Sequence, residues 1–165
     1  MSNFLPPRPR KVGARRTYAI VASSYNPQFV QGLVDFAARE FETLSPNSNV
    51  VLHQVPGAFE IPVAAQHAAR DQQILAVLAL GVIIRGQTAH ADLVGRAVTE
   101  ALLRISLENA KPVIHEVLLV DSEDQARERC LGERKNRGRE AAAAAVEMVE
   151  LFESLKSPPS KPGHG

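Results

Sequence analysis

The sequence predicts an α/β fold in which a parallel sheet of about four strands has helices on both faces. Short apolar segments alternate with amphipathic segments along the chain, and no change of composition marks a domain boundary. Residues 75–84 (LAVLALGVII) are almost continuously apolar, as in a strand that is buried on both faces. Such alternation is typical of strands that are joined by helical crossovers.

Each element has its own local signal. Residues 27–44 carry apolar side chains at helical spacing, and this helix opens with Asn26 at the predicted N-cap and Pro27 at the first helical position. Ser122 and Gln125 have the spacing of a capping box at the start of a later helix. The predicted elements in chain order are a strand at 17–23, a helix from 27, a strand at 49–55, a helix at 61–70, a strand at 75–84, a helix at 91–108, a strand at 112–120, a helix from 123 to about 130, and a helix from about 139 to 155.

The amino-acid composition limits the classes of protein to which this chain could belong. The chain has 165 residues, of which 45% are hydrophobic and 22% charged, so we expect one globular domain at 17–155. A basic, Pro-rich tail (1–16) and a Pro- and Gly-rich tail (156–165) flank it. Without the five bases of the first tail, 14 bases face 18 acids, which argues against a nucleic-acid-binding domain.

The lengths of the apolar runs and the cysteine content indicate where in the cell the protein is expected. No apolar run reaches the length of a membrane span, and the first residues lack the apolar core of a signal peptide. Cys130 is the single cysteine, which excludes an internal disulfide and suits a reducing compartment. We therefore expect a cytoplasmic protein in which Cys130 is an unreactive residue near a helix end.

Three segments follow strands of the predicted sheet and carry its polar and aromatic residues. They are SSYN (23–26), PGAFE (56–60) and RGQTAH (85–90). Ligands bind parallel α/β sheets outside the carboxyl ends of the strands, near a switch in strand order. Because these ends share one edge of a parallel sheet, we expect the three segments to converge there.

The segment RGQTAH has the chemistry of an anion site. Gly86 permits a tight turn or a close ligand, and Gln87 and Thr88 precede a helix whose free N–H groups attract negative charge. The segment matches neither a Walker P-loop nor a GxGxxG motif, which disfavours nucleotide triphosphates and dinucleotides. Capping of the helix by Thr88 is an alternative role.

Four side chains of these segments have both a functional and a structural interpretation. His90 has the side chain best suited to proton transfer near neutral pH, or it is a polar surface residue. Tyr25 and Phe59 could stack on a planar ring or only cover the sheet edge. Glu60 could accept hydrogen bonds from ligand hydroxyls or cap the following helix. No histidine, cysteine and carboxylate spacing indicates a metal site.

His115 lies near the start of its predicted strand and interrupts an apolar run. A buried histidine with satisfied hydrogen bonds is one explanation. The strand is about 30 Å long, so the carboxyl edge is far from His115. If His115 is functional, we expect it to serve a neighbouring subunit.

Three motifs together carry a resemblance to a known family. VPGAFEIP (55–62), GVIIRGQTAHADLV (81–94) and ARERCLGERKNRGREAAAAAVEM (126–148) resemble 6,7-dimethyl-8-ribityllumazine synthases of riboflavin biosynthesis. The resemblance implies a flavodoxin-like three-layer α/β/α sandwich that assembles into pentamers or sixty-subunit shells, with sites shared between neighbouring subunits. It implies a transferase that joins 5-amino-6-(D-ribitylamino)uracil to 3,4-dihydroxy-2-butanone 4-phosphate, releases phosphate and water, and needs no cofactor or metal. Riboflavin synthase is a candidate pathway partner.

The resemblance also implies roles for individual residues. His90 corresponds to the proton-transfer histidine, and Arg129 to an arginine that reaches the phosphate from a neighbouring subunit. Gln87 and Thr88 correspond to the turn that holds this phosphate. Residues implied in pyrimidine and ribityl binding are Tyr25, Ala58, Phe59, Glu60, Val82, Ile83, Ile84 and, from the neighbour, His115.

Some positions depart from the family pattern, and some alternatives stay open. His115 stands where phenylalanine is common, and Glu133 where a basic residue is usual, while Arg137 keeps a positive charge. The short segment 131–138 slightly favours a shell over a pentamer. An archaeal-type riboflavin synthase and a non-catalytic flavin-binding cage protein are the competing functions.

Overall fold

Four parallel strands alternate with five α-helices along residues 15–156, the part of the chain that the computed structural model describes. The predicted boundaries agree with the observed ones to within one or two residues. Most of both predicted tails, residues 1–14 and 157–165, lies outside the described residues. The elements are β1 (Thr17–Ser23), α1 (Pro27–Leu44), β2 (Asn49–Val55), a 3₁₀ turn (Ala58–Glu60), α2 (Ile61–Arg70), β3 (Ile74–Ile84), α3 (His90–Asn109), β4 (Val113–Val120), α4 (Glu123–Leu131) and α5 (Arg137–Lys156).

The sheet has the strand order β2-β1-β3-β4, and every pair is parallel. Strand β3 lies inside the sheet, and all of its residues from Ala76 to Val82 are buried, which explains its continuous apolar sequence. The chain moves from β1 outwards to β2 and then crosses to β3 on the other side of β1. The carboxyl ends of β1 and β3 therefore flank the switch point at which such sheets bind ligands.

Two apolar cores, one on each face of the sheet, make the three layers of the predicted sandwich. Alternate strand residues such as Leu78 and Leu80 pack with α1, α4 and α5, whereas Val77 and Ala79 pack with α2 and α3. Helix α5 approaches α1 closely at Gly138, where a side chain would overlap the Leu33 carbonyl. The predicted fold class is confirmed.

Asn136 joins the end of α4 to the start of α5 and is fully buried. Its Nδ2 donates to the carbonyl oxygens of Cys130 and Gly132, and its Oδ1 accepts from the N–H groups of Gly138 and Arg139. All the hydrogen-bonding capacity of this buried amide is used to end one helix and begin the next.

The predicted helix caps need two corrections. At α1, Asn26 is in the N-cap position, but its side chain makes no capping hydrogen bond. At α4, Ser122 Oγ accepts from the Gln125 N–H as predicted, whereas Gln125 Oε1 accepts from the N–H of Asp121 instead of Ser122. The second hydrogen bond of the capping box therefore joins the Gln125 side chain to Asp121, the residue before the N-cap.

The described residues bear on two further predictions. Within 15–156, no helix is long and apolar enough to cross a membrane. Cys130 is fully buried, and burial raises the pKa of its thiol to about 12. Because thiolates are the reactive form of cysteine, the burial and raised pKa of Cys130 support the prediction that it is unreactive.

Candidate active site

An open cavity of about 920 Å³ lies at the carboxyl edge of the sheet, bordered by the segments after β1, β2 and β3 and by the first turns of α3. Its volume is typical of a small-molecule site. The three segments therefore converge as predicted. The lining residues are Tyr25, Asn26, Gly57, Ala58, Phe59, Glu60, Val82, Ile83, Ile84, Gly86, Thr88, His90, Ala91, Leu93, Val94 and Ala97.

Asn26 connects the first of these segments to β3. Its backbone is left-handed, with φ 54° and ψ 56°, and its Nδ2 donates to the Val82 carbonyl oxygen at 2.8 Å. Asparagine adopts this conformation more readily than most residues. The bond crosses the switch point between β1 and β3 and fixes the turn that carries Tyr25. Sequence reasoning missed this role, because a local cap was the simpler explanation.

Two aromatic rings at the cavity are exposed to an unusual degree for their type. Tyr25 is 74% exposed and Phe59 is 66% exposed. Most of the surface of each residue is therefore not buried against its own chain. Both rings are free to stack on a planar ligand.

Glu60 closes the 3₁₀ turn that follows β2. Its Oε2 accepts a hydrogen bond from the Gly57 N–H at 3.1 Å and so closes this turn. Its side chain makes no capping hydrogen bond to α2, so the predicted capping of the following helix is wrong. Its other oxygen, Oε1, has no hydrogen-bond partner among the residues that the structure describes. Glu60 therefore holds the turn with one oxygen and has the second available for a ligand hydroxyl.

The polar groups of the turn before α3 are accessible from the cavity. Thr88 and His90 are exposed and line the cavity, and the His90 N–H is 3.4 Å from Thr88 Oγ1, a long capping contact. A side chain added at Gly86 would meet nothing within 4 Å. The open end of α3 faces this space with the positive end of its dipole, which suits a phosphate.

Arg85 neutralises negative charge beside this turn by forming two ion pairs. Its guanidinium pairs with Asp92 of the first turn of α3 at 3.1 Å and with Asp121 after β4 at 2.6 Å. An unpaired carboxylate near the start of α3 would repel an anion, so the two ion pairs favour anion binding there. Sequence reasoning missed this role of Arg85, because Asp121 is 36 residues away along the chain.

The structure brings nine of the twelve predicted site residues together and leaves three elsewhere. Gln87 is exposed in the turn but does not line the cavity. His115 lies on β4 on the face towards α3, and Arg129 lies on α4, which packs on the opposite face. Neither His115 nor Arg129 lines the cavity of its own chain. Within 15–156, no group of three or more His, Cys, Asp or Glu side chains is arranged to hold a metal ion.

A model of the 6,7-dimethyl-8-ribityllumazine synthase family matches residues 15–153, almost the whole of the described fold. The chain belongs to this family. Proteins named 6,7-dimethyl-8-ribityllumazine synthase are its relatives in several bacteria. The one from Aquifex aeolicus is 41% identical over 84% of this chain and 91% of its own length. That from Methylibium petroleiphilum is 39% identical over 87% and 88%, and that from Chloroherpeton thalassium 37% identical over 84% and 90%.

Membership of the lumazine synthase family confirms the resemblance carried by the three sequence motifs. Two of these motifs, 55–62 and 81–94, supply most of the cavity lining. The third, 126–148, covers the end of α4 and most of α5 and contributes nothing to that lining.

Proposed function

We propose that this chain is a 6,7-dimethyl-8-ribityllumazine synthase, a transferase that condenses 5-amino-6-(D-ribitylamino)uracil with 3,4-dihydroxy-2-butanone 4-phosphate. The observation that carries the proposal is the single cavity in which exposed aromatic rings, a proton-transfer histidine and an open helix N-terminus lie together. One planar substrate and one phosphorylated substrate fit this combination. Membership of the lumazine synthase family supports the same reaction.

The pyrimidine half of the site is assigned to the rings and strand ends. Tyr25 and Phe59 are available to stack on the heterocycle, and backbone groups of Val82 to Ile84 are proposed to bind its polar edge. Glu60 Oε1 is the proposed acceptor for ribityl hydroxyls. Ala58 lines the same side of the cavity.

The phosphate half is assigned to the start of α3. Thr88 and Gln87, with the N–H groups of the first helical turn, are the proposed phosphate ligands. Arg129 is proposed to reach this phosphate from a neighbouring subunit, since it does not line the cavity of its own chain. A guanidinium binds phosphate in a bidentate manner, which lysine does not.

The chemistry consists of proton transfers between two positioned substrates. The aromatic amine attacks the ketone, and loss of water gives an imine. Elimination of phosphate and attack by the ribityl-substituted amine, with loss of a second water, then close the ring. His90 is proposed to move protons in these steps, while the helix N-terminus stabilises the departing phosphate. No cofactor is proposed.

We also propose that the chain forms a homo-oligomer, a pentamer or a sixty-subunit shell. Exposed leucines on α3 (Leu93, Leu103 and Leu107) give this helix an apolar outer surface suited to subunit contact. The distance of His115 and Arg129 from their own cavity supports sites shared between subunits. A cytoplasmic location and a single domain at 17–155 between two tails are further proposals, the first supported by the single, buried Cys130.

Two parallel incubations test the proposed reaction. One contains both substrates, and the other contains 6,7-dimethyl-8-ribityllumazine alone. The products are identified by chromatography and absorbance. We expect lumazine in the first and no riboflavin in the second. Riboflavin from lumazine alone would instead indicate a riboflavin synthase, and product in neither would indicate a binding protein.

A further inference from the structure

A second cavity, of about 400 Å³, lies at the amino edge of the sheet, opposite the candidate active site. It is bordered by the carboxyl ends of α2, α3 and α5 and by the residues at the start of β3 and just before β4. We call it the amino-edge cavity. Strand β3 has 11 residues and separates the two cavities by roughly 30 Å. They share no lining residue. Small-molecule sites span about 300–1,000 Å³, so the amino-edge cavity suits a small ligand.

The inner wall of the amino-edge cavity is apolar. Ile74, Pro112 and Val149 line it and are buried, while Leu75 and Phe152 line it and are half-buried. The accessible part of the Phe152 ring can pack against a flat apolar group. Water alone gains little from such a wall, whereas an apolar ligand body would be removed from water there.

Three cationic side chains from different parts of the chain line the same cavity. Arg70 ends α2, Lys111 follows α3, and Lys156 ends α5. Glu153 is the one acid among the described lining residues, and its Oε2 is already 2.9 Å from the Arg16 guanidinium. Neither Arg70 nor Lys156 forms a hydrogen bond or an ion pair with another residue of 15–156. The lining therefore carries an excess of positive charge.

Lys111 has hydrogen-bonding capacity left over. Its Nζ donates to the Asp71 carbonyl oxygen at 2.6 Å, and an ammonium group has three N–H donors. Within 15–156, no second acceptor bonds to it. Burial lowers the pKa of Lys111; Asp71 opposes this effect and the like charge of Lys156 adds to it. An anion placed between the two lysines would supply an acceptor and reduce their repulsion.

We propose that the amino-edge cavity binds a small organic anion with a flat apolar body. Its carboxylate or phosphate group would accept hydrogen bonds from Lys111 and lie between Arg70 and Lys156. Its apolar body would pack against Leu75 and Phe152. The inference is independent of the proposed function, because no residue assigned to the condensation reaction lines this cavity.

Isothermal titration of the full chain in its native assembly tests the proposal at neutral pH. The probes are 2-naphthoate and 2-naphthyl phosphate, which have the same apolar body and different anionic groups. The controls are 2-naphthol, which lacks the charge, and inorganic phosphate, which lacks the apolar body. We expect both anionic probes to bind at least about tenfold more tightly than either control, the size of a charge-assisted hydrogen bond. The tighter of the two identifies the preferred anionic group.

Variants locate the binding. Lys111→Gln should weaken the affinity for the anionic probes about tenfold, since it removes the charge and the free donors. Lys156→Gln, at the exposed end of α5, should weaken it about threefold without affecting folding. Lys135→Gln is the matched control, because Lys135 is exposed and lies outside this cavity, and its affinity should equal that of the wild type.

Three results would overturn the proposal. One is the absence of binding by both anionic probes. Another is equally tight binding of 2-naphthol, which would show that charge plays no part. The third is equal affinity of wild type, Lys111→Gln and Lys156→Gln, which would place the probes elsewhere, the candidate active site included.

Discussion

Glu116 gives the fold a pH-dependent stability near neutrality. It lies on β4 on the face towards α4 and α5, and burial raises the pKa of its carboxyl to about 7. Arg137 opposes this rise and Glu140 adds to it. Because Arg137 is already paired with Glu140 at 3.1 Å, its charge only partly offsets the burial of Glu116. We predict that Glu116→Gln removes this pH dependence.

The sign and size follow from proton linkage. The pKa of Glu116 is higher in the folded chain than its ordinary value of 4.5, so the folded state binds more protons between these two values. The free energy of unfolding therefore falls as pH rises through this window. Relative to Glu116→Gln, the wild type should lose about 2 kcal/mol between pH 5.5 and 8.5.

Urea unfolding followed by circular dichroism at a fixed protein concentration measures this difference at both pH values. Glu42→Gln is the control, since Glu42 is an exposed glutamate on α1. Its stability should follow the wild type at both pH values. A difference in the free energy of unfolding between wild type and Glu116→Gln that is the same at pH 5.5 and 8.5 would contradict a raised pKa for Glu116.

Four further predictions concern the cavity and the residues proposed to serve it. His90→Ala should lower kcat by about 10²- to 10⁴-fold and leave measurable turnover, because substrate positioning survives; a fall in kcat well beyond about 10⁴-fold with unchanged substrate binding contradicts this division of roles. Arg129→Ala should raise KM for the butanone phosphate at least about tenfold, the size of a charge-assisted hydrogen bond, and an effect on the pyrimidine alone would refute its assignment. Co-assembly of His90→Ala with Arg129→Ala subunits should restore activity if sites are shared, and no recovery would contradict sharing. Asn26→Gly should lower the free energy of unfolding by about 1 kcal/mol, because the hydrogen bond to Val82 is lost. Asn26→Ala should lower it by about 2 kcal/mol, since alanine also disfavours the left-handed backbone. Equal losses for the two variants in urea unfolding would argue against this backbone strain.

The sequence predicted the fold and the position of the site well, because both depend on patterns along the chain. The continuous apolar run of β3 identified a buried parallel strand, and parallel strands bring their carboxyl ends to one edge. Tyr25, Phe59 and His90 could therefore be expected at one cavity before any contact was known. These expectations needed only local periodicity and a general rule of topology.

Contacts between distant segments were not predictable in the same way. Asn26 has the pattern of a helix cap, and only the folded chain shows that its amide reaches Val82, 56 residues away. Arg85 likewise pairs with two acids from different elements. The Nε2 of His115 lies 2.7 Å from the Thr99 hydroxyl of α3, a contact that the sequence of β4 does not reveal.

The cavity at the carboxyl edge of the sheet is proposed to condense an aminopyrimidine with a butanone phosphate. The most direct test of this proposal measures 6,7-dimethyl-8-ribityllumazine and inorganic phosphate in the same reaction, with wild type and His90→Ala in parallel. We expect one lumazine for each phosphate, and a much lower rate of formation of both in the variant. Phosphate without lumazine, or equal rates in the two proteins, would contradict it.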